Sequence, residues 1–299
     1  MTDRTALIAV DWGTSSFRAY RLDGAGATIE QRGAPLGILK VEGGDFAGAF
    51  KAQIGDWLAV TAAPVLMAGM IGSRQGWSEA PYASCPAGPT DLAARLHPLM
   101  VDGRRCWIVP GLVYRAADGP PDVMRGEESQ ILGVIGRLGP GRHRLCLPGT
   151  HSKWVDVADG RIVSFATYMT GETFAVLRAH SILGRLMADG GDDLAWFDRG
   201  IRRAREGGSL LHHLFGVRTL GLFGDVPPEG QPHYLSGVLI GHELAAVSPG
   251  SGPVYLLGAP ALAALYRRAL ELLGCEARLL DPDAIRSGLF ALLPHLPRD

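Results

Sequence analysis

The sequence predicts an α/β protein made of two similar halves, and three observations carry that reading. A short apolar run, ALIAV, leads into DWGTSSFRAYRLDGAG (residues 11–26). About half a chain later LCLPGTHSKWVDVADGRIVSF (145–165) sets Gly149, Thr150 and Ser152 where Gly13, Thr14 and Ser16 stand in the first stretch. Each unit then leads through helical sequence to a strand ending in glycine, PVLMAGMIGSRQGW in one case and GPVYLLGAPALAALYRRALELLG in the other.

The elements follow in order. ALIAV reads as a buried strand, DWGTS as a turn, SFRAYRLD as a second strand, DGAG as another turn and ATIEQRG as a third strand. No helix follows the glycine turn. A P-loop or a dinucleotide-binding turn feeds a helix whose N-terminus holds the phosphate, so both are excluded. DFAGAFKAQIGDWLAV (45–60) has helical periodicity. The second half repeats the meander as LCL, the turn PGTHS, KWVDV, the turn ADG and RIVSF. Near its end VYLLGAPALAALYRRALELLG reads as strand, glycine turn and amphipathic helix, with Pro260 in the first turn. Two halves of this kind predict a ligand cleft at their interface. The first lobe is expected over 1–112, the second over 113–282, with the chain crossing near 112–125.

Composition narrows the function classes. The chain has 299 residues, 47% hydrophobic and 20% charged, which is globular composition. A net charge of −1 gives no electrostatic case for nucleic acid or an anionic membrane. No apolar run reaches the ~18 residues of a membrane span, and the N-terminus has no signal-peptide pattern. Cys85, Cys106, Cys146 and Cys275 are scattered without a C-x-x-C pair, so neither a zinc site nor a disulfide framework is expected, and a reducing cytoplasm is.

DWGTSSFRAYRLD, LPGTHSKWVDV and VYLLGAPAL resemble the two phosphate motifs and the adenosine motif of the actin-like ATPase superfamily. AVDWGTSSFRAY, MAGMIGSRQGW, VMRGEESQILG and LPGTHSKWV together resemble the 2-dehydro-3-deoxygalactonokinase family, over essentially the whole chain. The resemblance implies two ribonuclease-H-like lobes, with a C-terminal helix at about 283–299 returning to the first. It also implies ATP-dependent phosphorylation of the 6-hydroxyl of a sugar acid, 2-dehydro-3-deoxy-galactonate, with Mg²⁺. A kinase for another sugar acid or sugar keeps the same fold, as does a sugar-sensing protein without catalysis. A homodimer is an open expectation.

Phosphoryl transfer needs positioning and charge neutralisation. Asp11, at a strand end, is the expected Mg²⁺ anchor, through water. Gly13, Thr14, Ser15 and Ser16 are expected to offer N–H groups and hydroxyls to phosphates, with Arg18 projecting back toward them. Gly149, Thr150, His151 and Ser152 are expected on the opposite side. Lys153 is read as a contact to phosphate or to the sugar acid, or as a solvated charge. His151 is read as a turn residue or hydrogen-bond donor. A hydroxyl nucleophile needs a carboxylate base, and Glu127 and Glu128 open a predicted helix. Adjacent helix positions point about 100° apart, so one of the two is expected to face the site; the alternative is that both only complement the helix N-terminus. Asp122 is a less favoured substitute, and Arg125 is expected to pair with a glutamate or a phosphate. The acceptor's carboxylate calls for an arginine or an N–H cluster, which Arg74 and Gln75 provide on a glycine-rich turn, near Trp77, Glu79 and Tyr82. Glu172 is read as a helix cap. Gly258 and Ala259 leave room for an adenine or ribose face. His212 and His213 are read as structural.

Overall fold

The computed structural model describes residues 4–191, 193–250 and 252–297. In chain order the first elements are β1 (Leu7–Trp12), β2 (Phe17–Leu22), β3 (Thr28–Ala34), α1 (Phe46–Val60), β4 (Val65–Ala68) and β5 (Tyr82–Ser84). Then come α2 (Pro89–Ala93), β6 (His97–Val101), β7 (Arg104–Ile108), β8 (Gly111–Arg115), β9 (Pro121–Met124) and α3 (Glu127–Leu138). They are followed by β10 (Arg142–Leu147), β11 (Ser152–Ala158), β12 (Arg161–Tyr168), α4 (Thr170–His180), α5 (Ala195–Ala204) and α6 (Leu210–Leu222). The chain closes with α7 (Gln231–Val247), β13 (Val254–Leu256), α8 (Pro260–Leu272), β14 (Ala277–Leu279) and α9 (Ala284–Leu292).

Contacts divide the described residues into two compact units. One holds those up to Arg142, Val157–Ser164 and those from Asp281 on; the other holds His143–Asp156 and Phe165–Leu280. Residues 113–142, which the sequence suggested belong with the second half, cluster with the first unit.

The first unit carries a sheet of order β3-β2-β1-β4-β7-β6, the second a sheet of order β12-β11-β10-β13-β14. In each, a three-strand meander is extended past its first strand by a parallel neighbour: β4 beside β1, and β13 beside β10. This recurrence is the ribonuclease-H-like pattern, present twice, as in actin-like ATPases. A small sheet of order β5-β8-β9 completes the first unit.

Hydrophobic patterning explains the layers. β1 is buried on both faces over Leu7–Val10, as a central strand must be. Helix α1 buries Phe46, Phe50, Ile54 and Trp57, one face at helical spacing, against Val10, Trp12, Val65 and Met67. Asp45 caps it, accepting from the Gly48 N–H at 2.8 Å. Each such fully buried large apolar side chain stabilises by roughly 1.5–3 kcal/mol. Helices α3 and α9 pack backbone to backbone through glycine: a Cβ on Gly288 would stand 1.7 Å from the Ser129 carbonyl oxygen, and one on Gly133 1.9 Å from that of Ala284. In the second unit Phe197, Ile201, Ile240 and Leu244 pack with Val254, Leu256 and Tyr266. Arg268 of α8 grips Asp198 of α5 at 2.6 and 2.7 Å. Among the described residues, no helix is long and apolar enough to cross a membrane.

Candidate active site

The β1–β2 register sets Asp11 opposite Arg18. Arg18 donates to Asp11 Oδ2 from Nη2 at 2.6 Å and Nε at 3.1 Å, and from Nη1 to Asp283 Oδ1 at 3.3 Å. Burial raises the Asp11 carboxyl above its usual range, and the Arg18 charge opposes the rise. Arg18 therefore holds the acid. The Gly13 N–H closes that turn onto the Ser16 carbonyl at 3.0 Å, while Thr14, Ser15 and Ser16 are exposed. A Cβ on Gly13 would meet nothing closer than the Ser16 carbonyl oxygen at 3.9 Å. The fold leaves that space open.

The start of α3 is brought to the same place. Gly69, at φ +96°, follows β4, and a Cβ there would stand 2.9 Å from the Trp12 carbonyl oxygen and 3.4 Å from Asp11 Oδ1. Gly126, at φ +107°, precedes α3, and a Cβ on it would stand 3.3 Å from Gly69 Cα. Both positions combine a left-handed φ with close backbone approach, which glycine alone accommodates freely. The two candidate bases differ sharply. Glu128 is fully buried; its Oε2 accepts from the Gly126 N–H at 2.6 Å and its Oε1 from the Ser129 hydroxyl at 3.0 Å. Burial, with the neighbouring Glu127 charge adding to it, pushes its carboxyl up to about 8. Glu127 is half-buried and accepts from the Arg125 N–H at 3.1 Å.

Beside this junction the first unit holds a cavity of about 390 Å³, lined by Arg74, Gln75, Glu79, Tyr82 and Arg125 among others. Arg74 is 86% exposed and donates from Nε to Glu79 at 3.1 Å. The Arg125 guanidinium lies 4.4 Å over the Tyr82 ring. Tyr82 in turn lies over Gly111, where a Cβ would come within 2.7 Å of the ring. Trp77 is not brought to the cavity: it packs with Trp12, Phe46 and Phe50, because an indole gains more from that aromatic cluster than from solvent.

In the second unit Gly149 repeats the property of Gly13, since a Cβ there would meet only the His151 carbonyl oxygen at 3.8 Å. Helix α4 abuts this turn; the Glu172 N–H donates to the Thr150 carbonyl at 2.9 Å. His151 Nε2 lies 2.5 Å from Glu172 Oε2, so Glu172 pairs with the turn. Ser152 and Lys153 are both buried, which removes the solvated reading of Lys153. A cavity of about 420 Å³ opens here, within the range of small-molecule sites, lined by Gly149, Thr170, Gly171, Phe174, Leu262 and Tyr266 among others. Gly258 and Ala259 do not line it; Gly258 sits against Pro148, and the helix they introduce, α8, supplies Leu262, Leu265 and Tyr266.

Sequence reasoning missed Glu243 of α7. It is buried and accepts from Trp154 Nε1 at 2.7 Å, from the Tyr266 hydroxyl at 2.8 Å and from the Thr170 hydroxyl. Two of those donors, Thr170 and Tyr266, line the second cavity, so one carboxylate fixes both. A lone acid in the apolar run VLIGHELAAV was the available signal. His213 is buried and shares a 2.9 Å hydrogen bond with His242, in keeping with a structural role.

Comparison with known proteins places the chain. The family model described as 2-keto-3-deoxy-galactonokinase matches residues 11–292. A Rhizobium meliloti (strain 1021) protein named "Probable 2-dehydro-3-deoxygalactonokinase DgoK1" is 40% identical over 299 residues, covering 97% of each chain. The Escherichia coli (strain K12) 2-dehydro-3-deoxygalactonokinase is 34% identical over 286 residues, covering 94% of this chain and 95% of its own. A crystal structure from Sinorhizobium meliloti, provisionally named for the same activity, superposes with a TM-score of 0.87 at 40% identity, covering 96% of this chain and 97% of that one. The chain belongs to the 2-keto-3-deoxy-galactonokinase family.

Proposed function

We propose that this protein transfers the terminal phosphoryl group of ATP to the 6-hydroxyl of 2-dehydro-3-deoxy-D-galactonate. The observation that carries the reading is the junction at Gly69 and Gly126, which brings Asp11 and the Glu127 end of α3 together beside a cavity bearing arginine. The names of the relatives at 40% and 34% identity supply the acceptor.

Glu127 is the general base in this reading, taking the 6-hydroxyl proton as the new O–P bond forms and the bond to ADP breaks. Its partial exposure supports the assignment; Glu128 has both oxygens occupied inside the protein. Asp11 anchors Mg²⁺. Its hard oxygen donors suit that cation, and with one oxygen held by Arg18 a hydrated ion fits best. An ion held there would supply charge neutralisation for the phosphates. Gly13 and Gly149 fit phosphate cradles, since a side chain at either would fill space the fold does not use. The apolar cavity beside Gly149, floored by α8, suits the nucleoside.

The test is ADP release with ATP, Mg²⁺ and a panel holding the galactonate compound, its gluconate epimer and neutral hexoses. Turnover concentrated on the galactonate compound supports the reading. Turnover on a neutral hexose alone moves the acceptor, and ATP binding without turnover on any of them removes the kinase assignment for this panel.

A further inference from the structure

Arg125 is a half-buried cation with two enclosed donors to spare. Its Nη2 donates to the Ala80 carbonyl at 2.8 Å. Its Nε and Nη1 are enclosed and have no hydrogen-bond partner. Buried polar atoms without a partner are uncommon and costly, more so on a charged group. The other such atoms among the described residues, on Trp57, Arg218 and Gln231, belong to residues that line neither cavity. Arg125 does line one, together with Tyr82, Gln75 and Arg74.

The surroundings are built around the guanidinium. Tyr82 presents its ring face 4.4 Å below it. Gly72 makes room on another side, where a Cβ would stand 3.0 Å from Nη1 and 2.8 Å from Ile108 Cγ2. The residue after next in sequence is Glu127, so a ligand on Arg125 lies next to the start of α3. Arg74, by contrast, is exposed and already paired with Glu79.

We propose that Arg125, held on Tyr82, binds the carboxylate of the acceptor substrate, and that Arg74 does not carry this recognition. A planar cation with unspent N–H donors is matched by a carboxylate, which supplies both the charge and the acceptors. The inference rests on the sugar-acid reading above and sharpens it to a residue the sequence offered only as a partner for a glutamate or a phosphate.

The experiment compares the acceptor acid with its carboxamide analogue, as a ratio of kcat/KM, in the wild-type enzyme and in Arg125→Gln, Arg125→Lys and Arg74→Ala. The wild-type enzyme is expected to favour the acid by about a hundredfold or more, as a site that pairs a buried charge should. Arg125→Gln should bring the ratio to within about tenfold of unity with the KM for ATP little changed. Arg74→Ala should leave it within about threefold of the wild-type value. Should Arg125→Gln fail to fold, Arg125→Lys keeps the charge without the planar stack and is expected at an intermediate ratio. An unchanged ratio in whichever Arg125 variant folds, or a ratio lost in Arg74→Ala alone, overturns the inference while leaving the kinase reading intact. A wild-type enzyme that accepts neutral sugars and not the acid overturns both.

Discussion

Replacing Glu128 with glutamine separates the two adjacent glutamates by what each costs the fold. The Glu128 carboxyl is lifted from an ordinary 4.5 to about 8, chiefly by burial. A carboxyl raised in the folded state takes up its proton more readily there than in the unfolded chain. Its contribution to stability is therefore fully present below pH 4.5 and is lost as pH rises through about 8. At 1.36 kcal/mol for each tenfold change in proton activity, that span is on the order of 5 kcal/mol. Glutamine mimics the protonated acid: its carbonyl can accept from the Gly126 N–H and its amide can donate to the Ser129 hydroxyl, groups Glu128 now holds at 2.6 and 3.0 Å. The variant should match the wild type near pH 5 and exceed it increasingly up to pH 9, by several degrees in Tm. Urea or thermal denaturation of both proteins at pH 5, 7 and 9 reads this directly. Curves that stay parallel across the range would refute the reasoning about burial, whatever the kinetics say. Turnover of Glu128→Gln should remain within about tenfold of wild type, whereas a loss of several hundredfold would return the base to position 128.

Other substitutions probe the remaining parts. Asp11→Asn should fold and lose at least about a hundredfold in kcat with a weakened Mg²⁺ dependence, measured by titrating the metal; unaltered turnover would end the anchor assignment. Gly149→Ala adds a methyl group the fold accepts at 3.8 Å, so Tm should hold while the KM for ATP rises about tenfold or more. If Tm falls and KM does not, the glycine serves the turn and not a phosphate. Gly288→Ala, with its Cβ 1.7 Å from the Ser129 carbonyl oxygen, should cost roughly 1–3 kcal/mol or more by prying α9 from α3. Equal stability in denaturant would contradict that packing.

Much of the fold was legible because it is written in local pattern. The strand, Gly-Thr-x-Ser turn and strand signals at 11–16 and 149–152 correspond to β1–β2 and β10–β11, and Pro260 opens α8 as its fixed φ suggests. The helix at Glu127 was legible from the two acids that open it. What sequence could not give is which polar group ends up inside. Glu127 and Glu128 are chemically identical neighbours, and only tertiary packing encloses one of them. Arg74 lies between Gly72 and Gly76 and Arg125 precedes Gly126, yet the first stands in solvent and the second lies over Tyr82, a contact that depends on β5, β8 and β9 pairing. Trp77 went to the aromatic cluster around Trp12 because its turn folds back onto α1, an outcome set by residues some 30 to 65 positions away. Glu243 was hidden by its apolar neighbours, and its three donors come from β11, α4 and α8.

The central claim is that a phosphoryl group moves from ATP to a sugar acid with Glu127 as the base. Its most direct test identifies the product, by ³¹P and ¹³C NMR of 2-dehydro-3-deoxy-D-galactonate incubated with ATP and Mg²⁺, for the wild-type enzyme and for Glu127→Gln. The account predicts a phosphate ester at the 6-position from the wild type, and formation slowed by about a hundredfold or more in the variant. An ester at another position, no ester at all, or equal rates from the two proteins would contradict it.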